Sequence, residues 1–161
     1  MPEHTLILLR HAKSDWSGDE ADIDRPLARR GRRQAPAIGR WLAAHVDGVD
    51  LAVVSPAARA RRTWDLVAAE LDVLPPARID DRVYAASDQQ LLGVVRELPD
   101  AVKTVVLVGH NPGLEDLASV LTRESPALPT CAIAVIGMPG PWPTAGRDPA
   151  VLHASGRPPA S

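Results

Sequence analysis

The apolar residues of this chain fall into two patterns, short continuous runs and longer stretches with helical spacing. The runs that predict buried strands are Thr5–Leu9, Leu51–Val54, Val105–Val108 and Cys131–Ile136. Short apolar runs without alternation are typical of strands covered on both faces. We therefore expect a sheet with protein packed against both of its sides.

Between these runs lie four segments in which apolar side chains recur every three or four residues, as on one face of an amphipathic helix. The four stripes begin at Ile38, Ala60, Leu91 and Leu114. Because strands and helices alternate along the chain, the pattern predicts an α/β fold. Two helix starts are predicted where a capping side chain precedes proline, at Ser55-Pro56 and Asn111-Pro112.

The stretch 138–161 departs from this pattern. It is rich in Pro and Gly and has little periodicity, which predicts an irregular or disordered C-terminal tail. Residues 1–137 are then expected to form one domain, which is long enough to bury a full hydrophobic core.

Composition narrows the classes of function. The net charge of −2 gives no global reason to expect a nucleic-acid or membrane partner. Cys131 is the only cysteine, so an internal disulfide and a Cys-rich zinc site are excluded. The run Leu6–Leu9 is too short for a signal peptide, and no stretch reaches membrane-spanning length. We expect a cytoplasmic protein that binds neither nucleic acid nor membrane.

Chemically active side chains stand where three predicted strands end. The first strand runs into Arg10-His11, the third runs into His110, and the helix after the second carries Arg59 in its first turn. In open α/β sheets the carboxyl ends of the strands and the helix N-termini meet at one edge. Forked arginine donors and helix N–H groups at such an edge suit a dianion such as phosphate.

Four blocks of the chain, in this order, resemble the histidine phosphatase superfamily, which includes the cofactor-dependent phosphoglycerate mutases. They are the run 8–16 (LLRHAKSDW), the run 24–27 (DRPL) with Gly31, Ser55-Pro56 with Arg59 and Thr63, and the run 108–112 (VGHNP). Their spacing is similar to that of short SixA-type phosphohistidine phosphatases. The resemblance implies a phosphoglycerate mutase-like, three-layer α/β/α sandwich with a mostly parallel central sheet.

The same resemblance implies catalytic roles. His11 would attack phosphorus and become phosphohistidine, while Arg10, Arg59 and His110 would hold the phosphoryl oxygens. Asp81 lies in a segment that resembles the one supplying the general acid, although Asp stands here where Glu is usual.

Two further residues are candidates for contact with substrate. The resemblance implies that the Ser14 hydroxyl contacts phosphate; the alternative is that it stabilises a local turn. Arg25 lies in a loop near the strand ends and could reach the same pocket.

No nucleotide-binding glycine motif is present in the sequence. A metal centre built from His11, His110 and Asp81 is chemically conceivable, since His and Asp are good ligands, but the two arginines nearby would oppose a cation. We therefore expect a reaction that uses no metal and no cofactor.

The leading hypothesis is hydrolysis of phosphohistidine on a protein partner such as a histidine-phosphotransfer domain. Residues 60–109 are largely taken up by two predicted helices and their connections, which leaves little chain for a lid over a small substrate. The alternatives are a phosphomonoesterase acting on a small phosphorylated metabolite and a catalytically inactive phosphate-binding module.

Overall fold

A single sheet of six strands runs through the part of the chain that the computed structural model describes, residues 4–159. The strand order is β3-β2-β4-β1-β5-β6; the first four strands pair in parallel, and β5 pairs antiparallel with both β1 and β6. The strands are β1 His4–Arg10, β2 Leu51–Val54, β3 Ala77–Ile79, β4 Thr104–Gly109, β5 Ile133–Met138 and β6 Val151–Gly156; the helices are α1 Arg29–His45, α2 Ala58–Ala68, α3 Asp88–Arg96 and α4 Gly113–Thr122.

The helices cover the two faces of the sheet in pairs. Side chains of β1 alternate between two cores: Ile7 packs with α1 and α2 on one face, and Leu8 packs with α3 and α4 on the other. A sheet buried on both faces explains the continuous apolar runs of its central strands. The predicted α/β/α sandwich with a mostly parallel sheet is confirmed.

The C-terminal stretch differs from its prediction as an irregular or disordered tail. Strand β6 pairs antiparallel with β5, and Trp142 is fully buried and donates its indole N–H to the carbonyl of Val102 at 2.9 Å. An edge strand with one exposed face carries only a weak apolar pattern, and its pairing depends on β5 rather than on its own sequence. The stretch is therefore part of the domain, and its last two residues lie outside the described ones.

The two predicted helix starts lie earlier than the observed ones. Helix α2 begins at Ala58 and α4 at Gly113. The hydroxyl of Ser55 instead accepts a hydrogen bond from the amide of Ala57 and contacts the ring of His110. Strand β3 was not predicted, because its three residues include an arginine and are largely exposed.

No helix within residues 4–159 combines the length and the apolar character that a membrane crossing requires.

Helix α1 lies against the backbone of the segment that follows β1. A Cβ atom added at Gly31 would lie 2.2 Å from the carbonyl oxygen of Lys13. This approach brings α1 close to the loop that carries His11, and only a residue without a side chain permits it.

Replacing Gly31 by alanine is expected to lower the free energy of unfolding by about 1–3 kcal/mol, because the backbone must move to relieve the overlap. Gly93→Ala is the matched control, since no atom lies within 4 Å of its added Cβ and alanine is favoured in a helix by up to about 1 kcal/mol. Urea unfolding of both variants measures the difference. A Gly31→Ala protein as stable as the parent would contradict this account of the contact.

Candidate active site

The backbone of His11 is held by both neighbours of β1. Its amide donates to the carbonyl of Gly109 at the end of β4 (3.1 Å), and its carbonyl accepts from the amide of Cys131 before β5 (3.0 Å). The parallel register pairs Arg10 with Gly109, so that His110 follows directly beside His11. The two imidazole rings lie 5.1 Å apart between centroids.

The ring of His11 is 7% exposed, and its Nδ1 lies 2.8 Å from the carbonyl oxygen of Ala12. A carbonyl can only accept, so the neutral ring carries its proton on Nδ1 and has a free lone pair on Nε2. Burial lowers the pKa of His11 to about 3; the bond to Ala12 opposes this shift, and the nearby His110, Arg59 and Arg10 add to it. The imidazole of His11 is therefore uncharged near neutral pH and keeps a lone pair on Nε2.

The ring of His110 is positioned by Ser55, which follows β2. Its Nε2 lies 2.7 Å from the hydroxyl oxygen of Ser55, a residue with no exposed surface. Within residues 4–159, Nδ1 of His110 is buried without a hydrogen-bond partner. Burial lowers the pKa of His110 to about 4, with Arg59 adding to the shift and Asp22 opposing it.

A buried threonine joins the His11 loop to helix α2. Thr63 accepts from the amide of Ala12 at 2.9 Å and donates its hydroxyl proton to the carbonyl of Arg59 at 2.7 Å. This pair of bonds fixes the start of α2 against the segment after β1. The position of Arg59 relative to His11 follows from it.

Asp22 is the central carboxylate of the site. It accepts from Nη2 of Arg59 at 3.1 Å, from Nε of Arg25 at 3.0 Å and from the hydroxyl of Tyr84 at 2.5 Å. The bond from Tyr84, followed by those from the two arginines, holds the pKa of Asp22 far below its usual range. Sequence reasoning missed Asp22. The only sequence feature that pointed to this part of the chain was the nearby run Asp24-Arg25-Pro26-Leu27, which belongs to the family resemblance.

Arg25 and Ser14 form a connected pair. Nη1 of Arg25 donates to the hydroxyl oxygen of Ser14 at 2.6 Å, and both side chains are buried. The guanidinium of Arg25 also lies against the ring of Trp16, 3.4 Å from its centroid.

These side chains surround one cavity of about 270 Å³. The structure brings six of the seven predicted site residues to it, namely Arg10, His11, Ser14, Arg25, Arg59 and His110; the other lining residues are Lys13, Trp16, Asp22, Asn111 and Thr130. Four cationic side chains and one carboxylate thus face the same space, which favours an anion.

Asp81 is the predicted residue that does not line the cavity. Its side chain is exposed, in a short 3₁₀ turn that also contains Val83. From the same segment it is Tyr84 that contacts residues of the site: its hydroxyl donates to Asp22, and its ring lies 5.6 Å from that of His110. The run Asp81–Tyr84 alone does not reveal which of its residues makes these contacts.

No three His, Cys, Asp or Glu side chains come together as a metal-binding group within the described residues. The donors of the cavity include guanidiniums and imidazoles, which bind the oxygens of an oxyanion. The unprotonated Nε2 of His11 lies among them. The fold and the site therefore define an enzyme that acts on a phosphoryl group.

Comparison with known proteins gives the family. The sequence model of the histidine phosphatase superfamily (branch 1) matches residues 6–128. An uncharacterized protein of Mycobacterium tuberculosis is 38% identical over 145 residues, which cover 83% of this chain and 89% of that protein. The chain belongs to the histidine phosphatase superfamily and is a phosphatase.

Solved structures agree with this membership. A Nakamurella multipartitia protein assigned as the phosphohistidine phosphatase SixA shares 28% identity and a TM-score of 0.85, with 95% of both chains covered. A second such protein, from Agrobacterium tumefaciens, shares 28% identity and a TM-score of 0.81 over 94% of this chain and 96% of its own.

The two buried imidazoles lead to a prediction for pH dependence. Their pKa values lie at about 3 and about 4 instead of 6.5, so neither ring should titrate between about pH 5 and 8 in ¹⁵N NMR spectra of the free protein. As pH falls, the unfolded chain protonates these two imidazoles at a higher pH than the folded chain does. The neutral rings therefore stabilise the fold fully above pH 6.5, and this contribution to the free energy of unfolding is lost as pH falls toward 3.

Assignment of the two ring signals uses the variants His11→Gln and His110→Gln. A ring that titrates near pH 6.5 would contradict the burial of that histidine in its neutral form.

Proposed function

We propose that this phosphatase works through a phosphohistidine on His11 and that its substrate is phosphohistidine carried on a protein. The proposal has two parts, the covalent step and the identity of the group that leaves. Each is argued from the residues that line the cavity.

In the first step Nε2 of His11 attacks phosphorus. A P–N bond to His11 forms, and the bond to the leaving nitrogen breaks with its electron pair staying on that nitrogen. In the second step water attacks the phosphoryl group, the P–Nε2 bond breaks, and inorganic phosphate is released. Arg10 and Arg59 balance the charge on the phosphoryl oxygens, and such transfers need mainly positioning and charge neutralisation.

His110 contributes a hydrogen bond in this scheme. The hydroxyl of Ser55 accepts from Ala57, so its own proton is available for Nε2 of His110, 2.7 Å away. The proton of the neutral ring then resides on Nδ1, the atom that is buried without a partner among the described residues. A phosphoryl oxygen would satisfy this donor.

The observation that carries the choice of substrate is the lack of a carboxylic acid to protonate a leaving group. Of the residues that line the cavity, only Asp22 has a carboxyl group, and its pKa is held far below the usual range by Tyr84 and two arginines. An alkoxide leaves poorly without a proton donor. The imidazole of phosphohistidine leaves as a neutral ring once solvent protonates its second nitrogen, so it needs no acid from the enzyme.

The surroundings of the cavity support a protein substrate. Between Arg59 and His110 the chain forms the rest of α2, then β3, α3 and β4, all parts of the sandwich. None of residues 60–109 lines the cavity, so this stretch supplies no lid. A phosphoryl group projecting from a protein surface is suited to such a site.

A phosphorylated histidine-phosphotransfer domain is expected to be hydrolysed with a kcat/KM at least tenfold above that of small phosphate esters. Rapid quenching with a ³²P-labelled substrate should trap an acid-labile, base-stable phosphoenzyme, which His11→Ala abolishes. Preference for the esters would favour the small-metabolite phosphatase, and an unlabelled parent protein would favour the inactive binding module.

Activity is expected to survive a chelator and to be inhibited by vanadate.

Removal of the Ser55 hydroxyl tests the role of His110. Ser55→Ala should lower kcat/KM by roughly 10- to 100-fold. One oriented donor to the reacting group typically accelerates the reaction by about 10²–10³-fold, and an imidazole that has lost its partner Ser55 retains part of this acceleration. Ser55→Thr keeps the hydroxyl and should restore most of the activity. Equal activity of the alanine variant and the parent would remove Ser55 from the scheme.

A further inference from the structure

Trp16 is an exposed aromatic residue at the mouth of the active-site cavity. Its side chain is 70% exposed and lines the cavity together with His11. Of the other strongly exposed large apolar residues in the described chain, Val73, Leu74, Ile79 and Val151, none lines it. A tryptophan left in water at the mouth of a polar site is a candidate for contact with a ligand.

The ring of Trp16 is held in place from one side. The guanidinium carbon of Arg25 lies 3.4 Å from the ring centroid. Arg25 itself is 7% exposed and is fixed by hydrogen bonds to Ser14 at 2.6 Å and Asp22 at 3.0 Å. Because the cation cannot turn, it orients the ring that lies over it.

The backbone next to this pair is also fixed. The amide of Asp15 donates to the carbonyl of Pro26 at 2.8 Å, and Ser14 and Leu27 form an antiparallel bridge. Trp16 and Arg25 are the next residues beyond these contacts. The ring is therefore supported before any ligand arrives, which limits the entropy lost on binding.

We propose that Trp16 is the platform on which the ring that carries the phosphoryl group stacks. One face of the indole is covered by Arg25, and Trp16 as a residue remains 70% exposed. The phosphoryl group occupies the cationic floor beside His11, so the group attached to it lies toward the cavity mouth where Trp16 stands. This inference rests on the proposed function, since the imidazole of phosphohistidine is a flat aromatic ring at that position.

The experiment compares two substrate pairs in the parent protein and in Trp16→Ala. Phosphoimidazole and phosphoramidate both break a P–N bond, but only the first releases an aromatic ring. Phenyl phosphate and ethyl phosphate form the same contrast for P–O bonds. Each compound is compared with itself in the two proteins, so its intrinsic reactivity cancels.

Trp16→Ala is expected to lower kcat/KM for the aromatic member of a pair about 5- to 30-fold more than for the other member, as stacking of one ring on an aromatic side chain predicts. Trp16→Phe should recover most of the difference and Trp16→Leu should not. Leu74→Ala is the control, because Leu74 is 72% exposed and lies outside this cavity. This variant should keep the ratio of kcat/KM values within each substrate pair as it is in the parent protein.

The outcomes separate the two proposals. Equal losses for both members of every hydrolysed pair, or rescue by Trp16→Leu, would overturn the platform. If the parent hydrolyses only the esters, the proposed substrate is wrong, and the phenyl and ethyl pair still decides whether Trp16 stacks. Hydrolysis of neither pair would overturn the platform, whereas the proposed function is judged separately by hydrolysis of the phosphorylated histidine-phosphotransfer domain.

Discussion

The placement of His11 between two neighbouring strands is the constraint on which the site depends. The amide of His11 donates to Gly109 and its carbonyl accepts from Cys131, and these bonds extend the pairing of β1 one residue beyond the strand. The position of the imidazole is then set by sheet register rather than by a loose loop. The same register places His110 at the end of the neighbouring strand β4, so sheet pairing alone brings the two imidazole rings together.

Around that point the molecule keeps two imidazoles neutral among several guanidiniums. Burial lowers the pKa of His11 to about 3 and of His110 to about 4, which leaves both rings uncharged while the arginines supply the positive charge. Asp22 partly balances this charge and ties Arg59, Arg25 and Tyr84 together. The same hydrogen bonds hold the pKa of Asp22 far below its usual range, which makes this carboxyl group a poor proton donor.

Sequence reasoning found the residues near strand ends and two loop residues, Ser14 and Arg25, but missed Asp22 and the position of Trp16 at the cavity. Arg10, His11, Arg59 and His110 were predicted because strand ends in an α/β sheet share one edge, and all four line the cavity. Asp22 and Trp16 lie in a segment without periodicity, so their pattern did not predict that they reach the site. Asp81 was chosen from its segment, whereas the turn there brings Tyr84 to Asp22 instead.

The sequence by itself determined the α/β class, the four buried strands, the four helices and the cluster of strand-end residues, because burial on two faces and helical packing leave periodic patterns. Only the tertiary structure decided the pairing of β6, the network around Asp22 and the contact between Ser55 and His110. These depend on partners far away along the chain. A local pattern cannot specify them, since their free energy comes from contacts that exist only after the chain has folded.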